Sequence, residues 1–264
     1  MSAINVILGG SGLIGRALER ELRARGEETV VFDLKSGFDL RTTEPRTFPA
    51  STYYWFLAWD VGGAKYIMDP SAQIDILKSN LRLCDRVFTW LQERKAEFTF
   101  VSTQMVGYSN SYGISKAVGE HWTKTLSHGR ICRLWNVYGA EEPSRRSHII
   151  PDLVAQAAAG KVRLLTSGEE RRQFIIDDDC ADALITQREI AQPHADITSG
   201  QWVSIRDLAR IVCELGNTEL AWEEPAGYES LVEPMRPLRD WKPKIGLRDG
   251  LEKVISRMRE QGWS

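Results

Sequence analysis

The sequence predicts an α/β fold: a doubly wound parallel sheet followed by a smaller C-terminal lobe. Short apolar runs of strand type alternate with amphipathic stretches of helix length from residue 6 to about residue 135. Parallel strands require such crossovers and are buried on both faces. Gly9, Gly12 and Gly15 join the first run to the first helical stretch. After Asn136 the rhythm loosens, and Pro143, Pro225, Pro234, Pro237 and Pro243 punctuate the chain. Its 264 residues can bury a core of one large domain, or one domain with a lobe. We divide it at residues 1–140 and 141–264, with 172–198 returning to the first unit.

Each element follows from its own pattern. Val6-Ile7-Leu8 is a buried strand, and Leu13, Ile14, Ala17, Leu18 and Leu22 recur at helical spacing over 13–25. "ETVVF" forms the second strand, ending at Phe32, and "TYYWFLA" (52–58) the third. A helix over 71–95 carries Ile74, Leu77, Leu81, Leu83, Val87, Phe88 and Leu91 as a broad apolar face. "FTFVS" (98–102), a helix over 112–127 and "RICRLW" (130–135) complete the series.

The glycines have distinct uses: a tight turn, close approach of backbone to a phosphate, and close helix–strand packing. The helix beginning at Leu13 and Ile14 points free N–H groups and a partial positive charge at the loop, which suits a diphosphate. Asp33 ends the second strand, 18 residues after Gly15. A carboxylate there can accept from both ribose hydroxyls of an adenosine, and it repels a 2′-phosphate, so NAD is expected rather than NADP.

Tyr112 and Lys116 lie four apart and share a helix face. A free phenol, with a pKa of about 10, is a poor base at neutral pH. The lysine ammonium and an oxidised nicotinamide would favour the phenolate, and a drop of about three pH units corresponds to roughly 4 kcal/mol. Thr103 offers a hydroxyl to the same substrate oxygen from the end of the preceding strand.

Gly9, Gly12, Gly15, Asp33, Thr103 and the Tyr112–Lys116 pair resemble an extended short-chain dehydrogenase/reductase of the NAD-dependent epimerase/dehydratase family, UDP-galactose 4-epimerase-like, with a Rossmann-type sheet. The resemblance continues through "RLWNVYG" (133–139), "SHIIPDLV" (147–154), "RRQFIIDDDCADAL" (171–184), "DITSGQWVSIRDLARIV" (196–212) and "KIGLRDGLEKVI" (244–255). It implies that Thr103, Tyr112 and Lys116 are catalytic, and that Gly9, Gly12, Leu13, Ile14 and Gly15 hold the cofactor. Asp39 and Leu40 would contact adenine, Leu57 and Ala58 would pass the ribose and diphosphate, and Asn80 would stand near the active site. Asn136 and His148 would line a nucleotide-sugar site; Arg172 and Arg236 would hold its diphosphate. Read by themselves, those arginines also fit surface charge, His148 a structural histidine, and Trp59 either pocket wall or core. The family further implies a homodimer through the helices at 71–95 and 112–127.

The chain departs from the pattern at several points. Only eight residues separate Thr103 from Tyr112, which puts the threonine's register with the phenol in question. Gln173 replaces an aspartate, and the Arg236 match requires a gap. Gln104-Met105 stands where a dehydratase carries an acid and a base; neither moves a proton as a carboxylate does. Met105 likewise lacks the proton donor of a reductase that also epimerises.

The formal charge of −2 is mixed along the chain, which leaves no basic field for nucleic acid or a membrane surface. No charged leader or bilayer-length apolar run is present in the sequence. Cys84, Cys132, Cys180 and Cys213 are dispersed, as expected of free thiols in a reducing cytoplasm, and the four histidines show no metal-ligand spacing. Three readings stay open: a nucleotide-sugar epimerase, a keto-sugar reductase or sugar dehydrogenase with the same triad, and a non-catalytic dinucleotide-binding regulator.

Overall fold

The computed structural model describes residues 4–46, 48–49, 52–164, 166–222 and 233–263; Pro225 lies outside the described residues. In chain order the first elements are β1 (Ile4–Leu8), α1 (Leu13–Ala24), β2 (Glu28–Phe32), β3 (Tyr53–Phe56), α2 (Ala64–Ile67), α3 (Gln73–Glu93), β4 (Glu97–Thr103), α4 (Ser111–Thr125) and β5 (Gly129–Leu134). There follow β6 (Asn136–Tyr138), α5 (Ile149–Ala158), β7 (Lys161–Leu164), β8 (Arg171–Ile176), α6 (Asp177–Glu189), β9 (His194–Ile197), β10 (Trp202–Ser204), α7 (Ile205–Gly216), β11 (Glu219–Trp222) and α8 (Leu247–Glu260).

Six strands form one parallel sheet in the order β2-β1-β3-β4-β5-β9. The chain steps from β1 outward to β2, then crosses back to β3 on the other side of β1. Connections therefore diverge above the C-terminal ends of β1 and β3, and a crevice opens there. Alternate residues feed two cores. Ile7, Tyr53 and Trp55 pack with α1 and α6, whereas Val6, Leu8, Tyr54 and Phe56 pack with α3. Burying a side chain such as the fully enclosed Phe56 stabilises the fold by about 1.5–3 kcal/mol. Trp55 is enclosed without a polar penalty because its indole N–H donates to Asn5 Oδ1 at 3.0 Å.

The C-terminal half builds a third core from Tyr138, Ile150, Leu153, Phe174, Leu208 and Leu251. It holds a three-stranded sheet ordered β10-β8-β6 and the parallel pair β11-β7. The helix predicted from residue 71 begins at Gln73, because Pro70–Ala72 forms a 3₁₀ turn capped by Asp69, which accepts from Ser71 N at 2.8 Å. Helix α4 begins at Ser111, where Asn110 Oδ1 accepts from Gly113 N at 2.8 Å. The apolar face predicted on the longer helix is only partly used: Leu83, Val87, Phe88 and Leu91 are buried, while Ile74 and Leu81 remain exposed. Among the described residues no helix is long and apolar enough to cross a membrane.

Candidate active site

The crevice is a cavity of about 1150 Å³, above the roughly 300–1,000 Å³ usual for one small ligand. Its volume suits two ligands end to end. At one end lies the glycine loop. Gly9 has φ +95°, and a Cβ there would come within 2.4 Å of Ala58 N. A Cβ on Gly15 would meet Gly10 Cα at 2.5 Å, so α1 rests directly on the loop. Gly12 differs, because space in front of it is open and it caps α1 with no side chain. The first-turn N–H groups of α1 therefore have no side-chain acceptor and border the cavity with Leu13 and Ile14. These residues fit the diphosphate of a dinucleotide.

Asp33 stands at the end of β2 on the same wall. Its carboxylate accepts from Ser11 N at 2.9 Å and Lys35 N at 2.8 Å, which fixes it between the glycine loop and the next turn. Asp39 and Leu40 line this end too. Arg41 bonds both oxygens of Asp39, at 2.8 and 2.9 Å, and holds that carboxyl below its ordinary range. Leu57 and Ala58 continue the wall past β3, where Ala58 N donates to Leu8 O at 2.7 Å.

Midway along the cavity stand Thr103, Tyr112 and Lys116. Despite the short connection, Thr103 lies near enough to Tyr112 for its hydroxyl to favour the phenolate. Gly113 explains how: a Cβ there would lie 2.4 Å from Met105 O, so the start of α4 sits against the turn that follows β4. Burial pushes the Tyr112 phenol up to about 12, against the pull of Thr103. Lys116 is nearly fully enclosed. Its Nζ donates to Val101 O at 2.5 Å and lies 4.1 Å from the Trp59 ring centroid and 4.9 Å from that of Phe100. Burial lowers this ammonium to about 7, with Cys84 and Glu120 opposing. The lysine alone does not lower the tyrosine; the expectation pairs it with an oxidised nicotinamide. The ammonium is spent on a carbonyl and two aromatic faces, and desolvation governs the phenol.

Asn80 also requires correction: it is fully buried and forms no part of the cavity wall. Its side chain joins Asp60 to Ser115, accepting from Asp60 N at 2.7 Å and donating to Ser115 Oγ at 3.2 Å. Ser115 Oγ in turn donates to Tyr112 O at 2.9 Å and accepts from Trp59 Nε1 at 3.3 Å. Asn80 therefore positions the wall from behind. Arg236 is exposed and likewise off the wall. Residues 236–237 run beside β9, with Asp196 N donating to Arg236 O at 2.6 Å and Arg236 N to Asp196 Oδ2 at 2.7 Å. That backbone pairing keeps Arg236 at the sheet edge.

Asn136, His148 and Arg172 line the far half of the cavity. His148 Nδ1 is 2.7 Å from Glu141 Oε2. Burial alone would lower the imidazole, but its bond to Glu141 outweighs that and raises it. Glu141 was missed in the sequence, where an acid seven residues before a histidine carries no signal. Trp59 is settled as wall. Asp60, also wall and also missed, accepts from Arg146 Nη1 at 2.7 Å and so links the sheet to the lobe.

A doubly wound sheet, a glycine loop at its switch point and a Thr-Tyr-Lys group beside it define a dinucleotide-dependent enzyme of the extended short-chain dehydrogenase/reductase class. The chain belongs to the NAD dependent epimerase/dehydratase family, whose model matches residues 5–196. GDP-L-fucose synthase 1 of Arabidopsis thaliana is 26% identical, covering 96% of this chain and 92% of that protein. Among solved structures, UDP-glucose 4-epimerase of Thermotoga maritima aligns with TM-score 0.75 and 18% identity, covering 98% of this chain and 99% of that one. A GDP-mannoheptose C4 reductase of Campylobacter jejuni, with NADP bound, aligns with TM-score 0.79 and 19% identity over 98% of each chain. The family acts as nucleotide-sugar epimerases, dehydratases and reductases.

Proposed function

We propose that the protein is an NAD-dependent nucleotide-sugar epimerase. The observation that supports this reading is that one cavity is lined by Gly12 and Asp33, by Thr103, Tyr112 and Lys116, and by Asn136, His148 and Arg172. The half with Gly12 and Asp33 suits NAD; the half with Asn136, His148 and Arg172 suits a nucleotide sugar. Bound NAD supplies a hydride acceptor that can return the hydride, and its oxidised ring adds a positive charge that favours the Tyr112 phenolate. Tyr112 Oη takes the hydroxyl proton as the carbon–hydrogen bond of the same sugar carbon breaks. It gives the proton back once the resulting ketone has presented its other face. Thr103 orients the reacting oxygen, and Lys116 holds the nicotinamide ribose. Gln104 and Met105 offer no carboxylate or thiol for elimination, which disfavours a dehydratase.

The test is incubation with NAD⁺ and a panel of nucleotide sugars, with products followed by mass and NMR. An isomer of unchanged mass supports the epimerase, and the absence of any isomer across the panel rejects it. A second reading, a keto-sugar reductase, is favoured by the relatives named GDP-L-fucose synthase; net consumption of NAD(P)H with a keto-sugar would establish it. We also propose division into a cofactor unit (1–140, with 172–198) and a substrate lobe, in a cytoplasmic homodimer. The exposed Ile74, Leu81 and Ile114 on α3 and α4 support the dimer.

A further inference from the structure

We infer that the lobe end of the cavity is a guanine-nucleotide site in which Glu170 reads the base; this rests on the nucleotide-sugar reading above. Strand β8 borders this end of the cavity. Residues two apart on an extended strand face the same side and lie roughly 6.5–7 Å apart along it. Arg172 and Phe174 form such a row, Glu170 continues it just before the strand, where Ile205 N donates to Glu170 O at 2.9 Å, and all three line the cavity. Phe174 pairs in register with Asn136 of β6, just beyond the end of β5, so the inner end of the row lies at the reaction centre. A nucleotide sugar laid along it places the sugar by Phe174, the diphosphate by Arg172 and the base by Glu170.

The chemistry of Glu170 selects the base. Its Oε2 accepts from Thr166 Oγ1 at 3.3 Å, and Gly168 N donates to that hydroxyl at 3.2 Å, so the threonine proton is aimed at the carboxylate. Among the described residues Glu170 Oε1 has no partner. A carboxylate only accepts hydrogen bonds. Guanine alone among the common bases presents two adjacent donors, N1–H and the 2-amino group, and these match two carboxylate oxygens. Uracil and thymine offer one N–H between two carbonyl oxygens, which a carboxylate repels. Cytosine and adenine set their amino group beside a ring nitrogen acceptor. Trp263 borders the cavity as well and offers an aromatic face for the base.

Calorimetry with GDP, IDP, UDP and dTDP tests this on the full chain, with NAD saturating so that the dinucleotide half is filled. GDP is expected to bind about 10- to 100-fold more tightly than UDP or dTDP, because hydrogen bonds to a charged group are at stake. IDP, which lacks the 2-amino group, should fall between. Glu170→Gln should bring GDP down to the level of UDP while leaving UDP affinity within about threefold. UDP binding as tightly as GDP, or a GDP preference that survives in Glu170→Gln, overturns the assignment and leaves the nucleotide-sugar reading standing. Failure of every diphosphate to bind overturns both.

Discussion

Replacing Lys116 by methionine should make the ligand-free protein more stable. The side chain is 3% exposed, and its ammonium is lowered from 10.5 to about 7. At about 1.4 kcal/mol for each tenfold change, holding that charge in the interior costs about 5 kcal/mol. The Trp59 and Phe100 faces return about 1–2 kcal/mol apiece. A net gain of about 1–3 kcal/mol remains for the methionine, which fills a similar volume. For a chain of this size that corresponds to roughly 2–12 °C in Tm. The gain depends on pH in a defined direction. Because the folded lysine releases its proton near pH 7 and the unfolded one at 10.5, the unfolded chain binds more protons between those values. Wild-type stability therefore climbs from pH 7 towards 10.5 relative to the mutant, and the mutant's advantage is largest below pH 7. Urea unfolding at pH 6, 8 and 10 measures it. A mutant no more stable than wild type at pH 6, or an advantage that does not change with pH, would refute the reasoning. The same variant should lose cofactor affinity, so the lysine is retained at the expense of stability.

Tyr112→Phe should lower turnover by about 10²–10⁴-fold on the true substrate while NAD binding stays near wild type; near-normal turnover would place the chemistry elsewhere. Asp33→Ala should weaken NAD binding and relax discrimination against NADP, and calorimetry showing that the wild type prefers NADP would overturn that assignment. Gly113→Ala puts a methyl 2.4 Å from Met105 O, so α4 must shift; we expect a loss of about 1–3 kcal/mol in chemical denaturation together with a fall in turnover. Unchanged stability and turnover would show that the turn gives way instead. Sedimentation at micromolar concentration should find a dimer, and a monomer there counts against the α3–α4 interface.

The main sheet was legible because its strands and helices each carry one dominant signal. Val6-Ile7-Leu8 can only be buried, and the run from Leu13 to Leu22 has a single helical face. The lobe was not, because β6 and β10 have three residues each and β7 and β11 four, too few to show a period. The cavity wall was legible where a residue type is demanded by geometry, as at Gly9, Gly12, Gly15 and Asp33. It was less so where only a three-dimensional pairing decides. Asn80 is expected near the active site from the resemblance, but only the structure shows that it faces inward, because Asp60 and Ser115 converge on it. Arg236 was misplaced because backbone pairing with β9, which spacing does not reveal, keeps it away from the crevice. What else Lys116 reaches, a backbone carbonyl and two aromatic faces, was not legible either, because proximity in sequence says nothing of it.

The sixth strand arrives late. Residues 194–197 pair with 131–134 only after the chain has made β6, α5, β7, β8 and α6. The two halves are interleaved, and α6 is tied back to the start of the sheet where Arg188 bonds Glu27 at 2.7 and 2.8 Å. During synthesis the edge of β5 therefore stays open until nearly three-quarters of the protein has emerged, and open edges invite pairing with other chains. Cutting the gene at residue 140 would make that exposure permanent, so residues 1–140 should aggregate when produced alone.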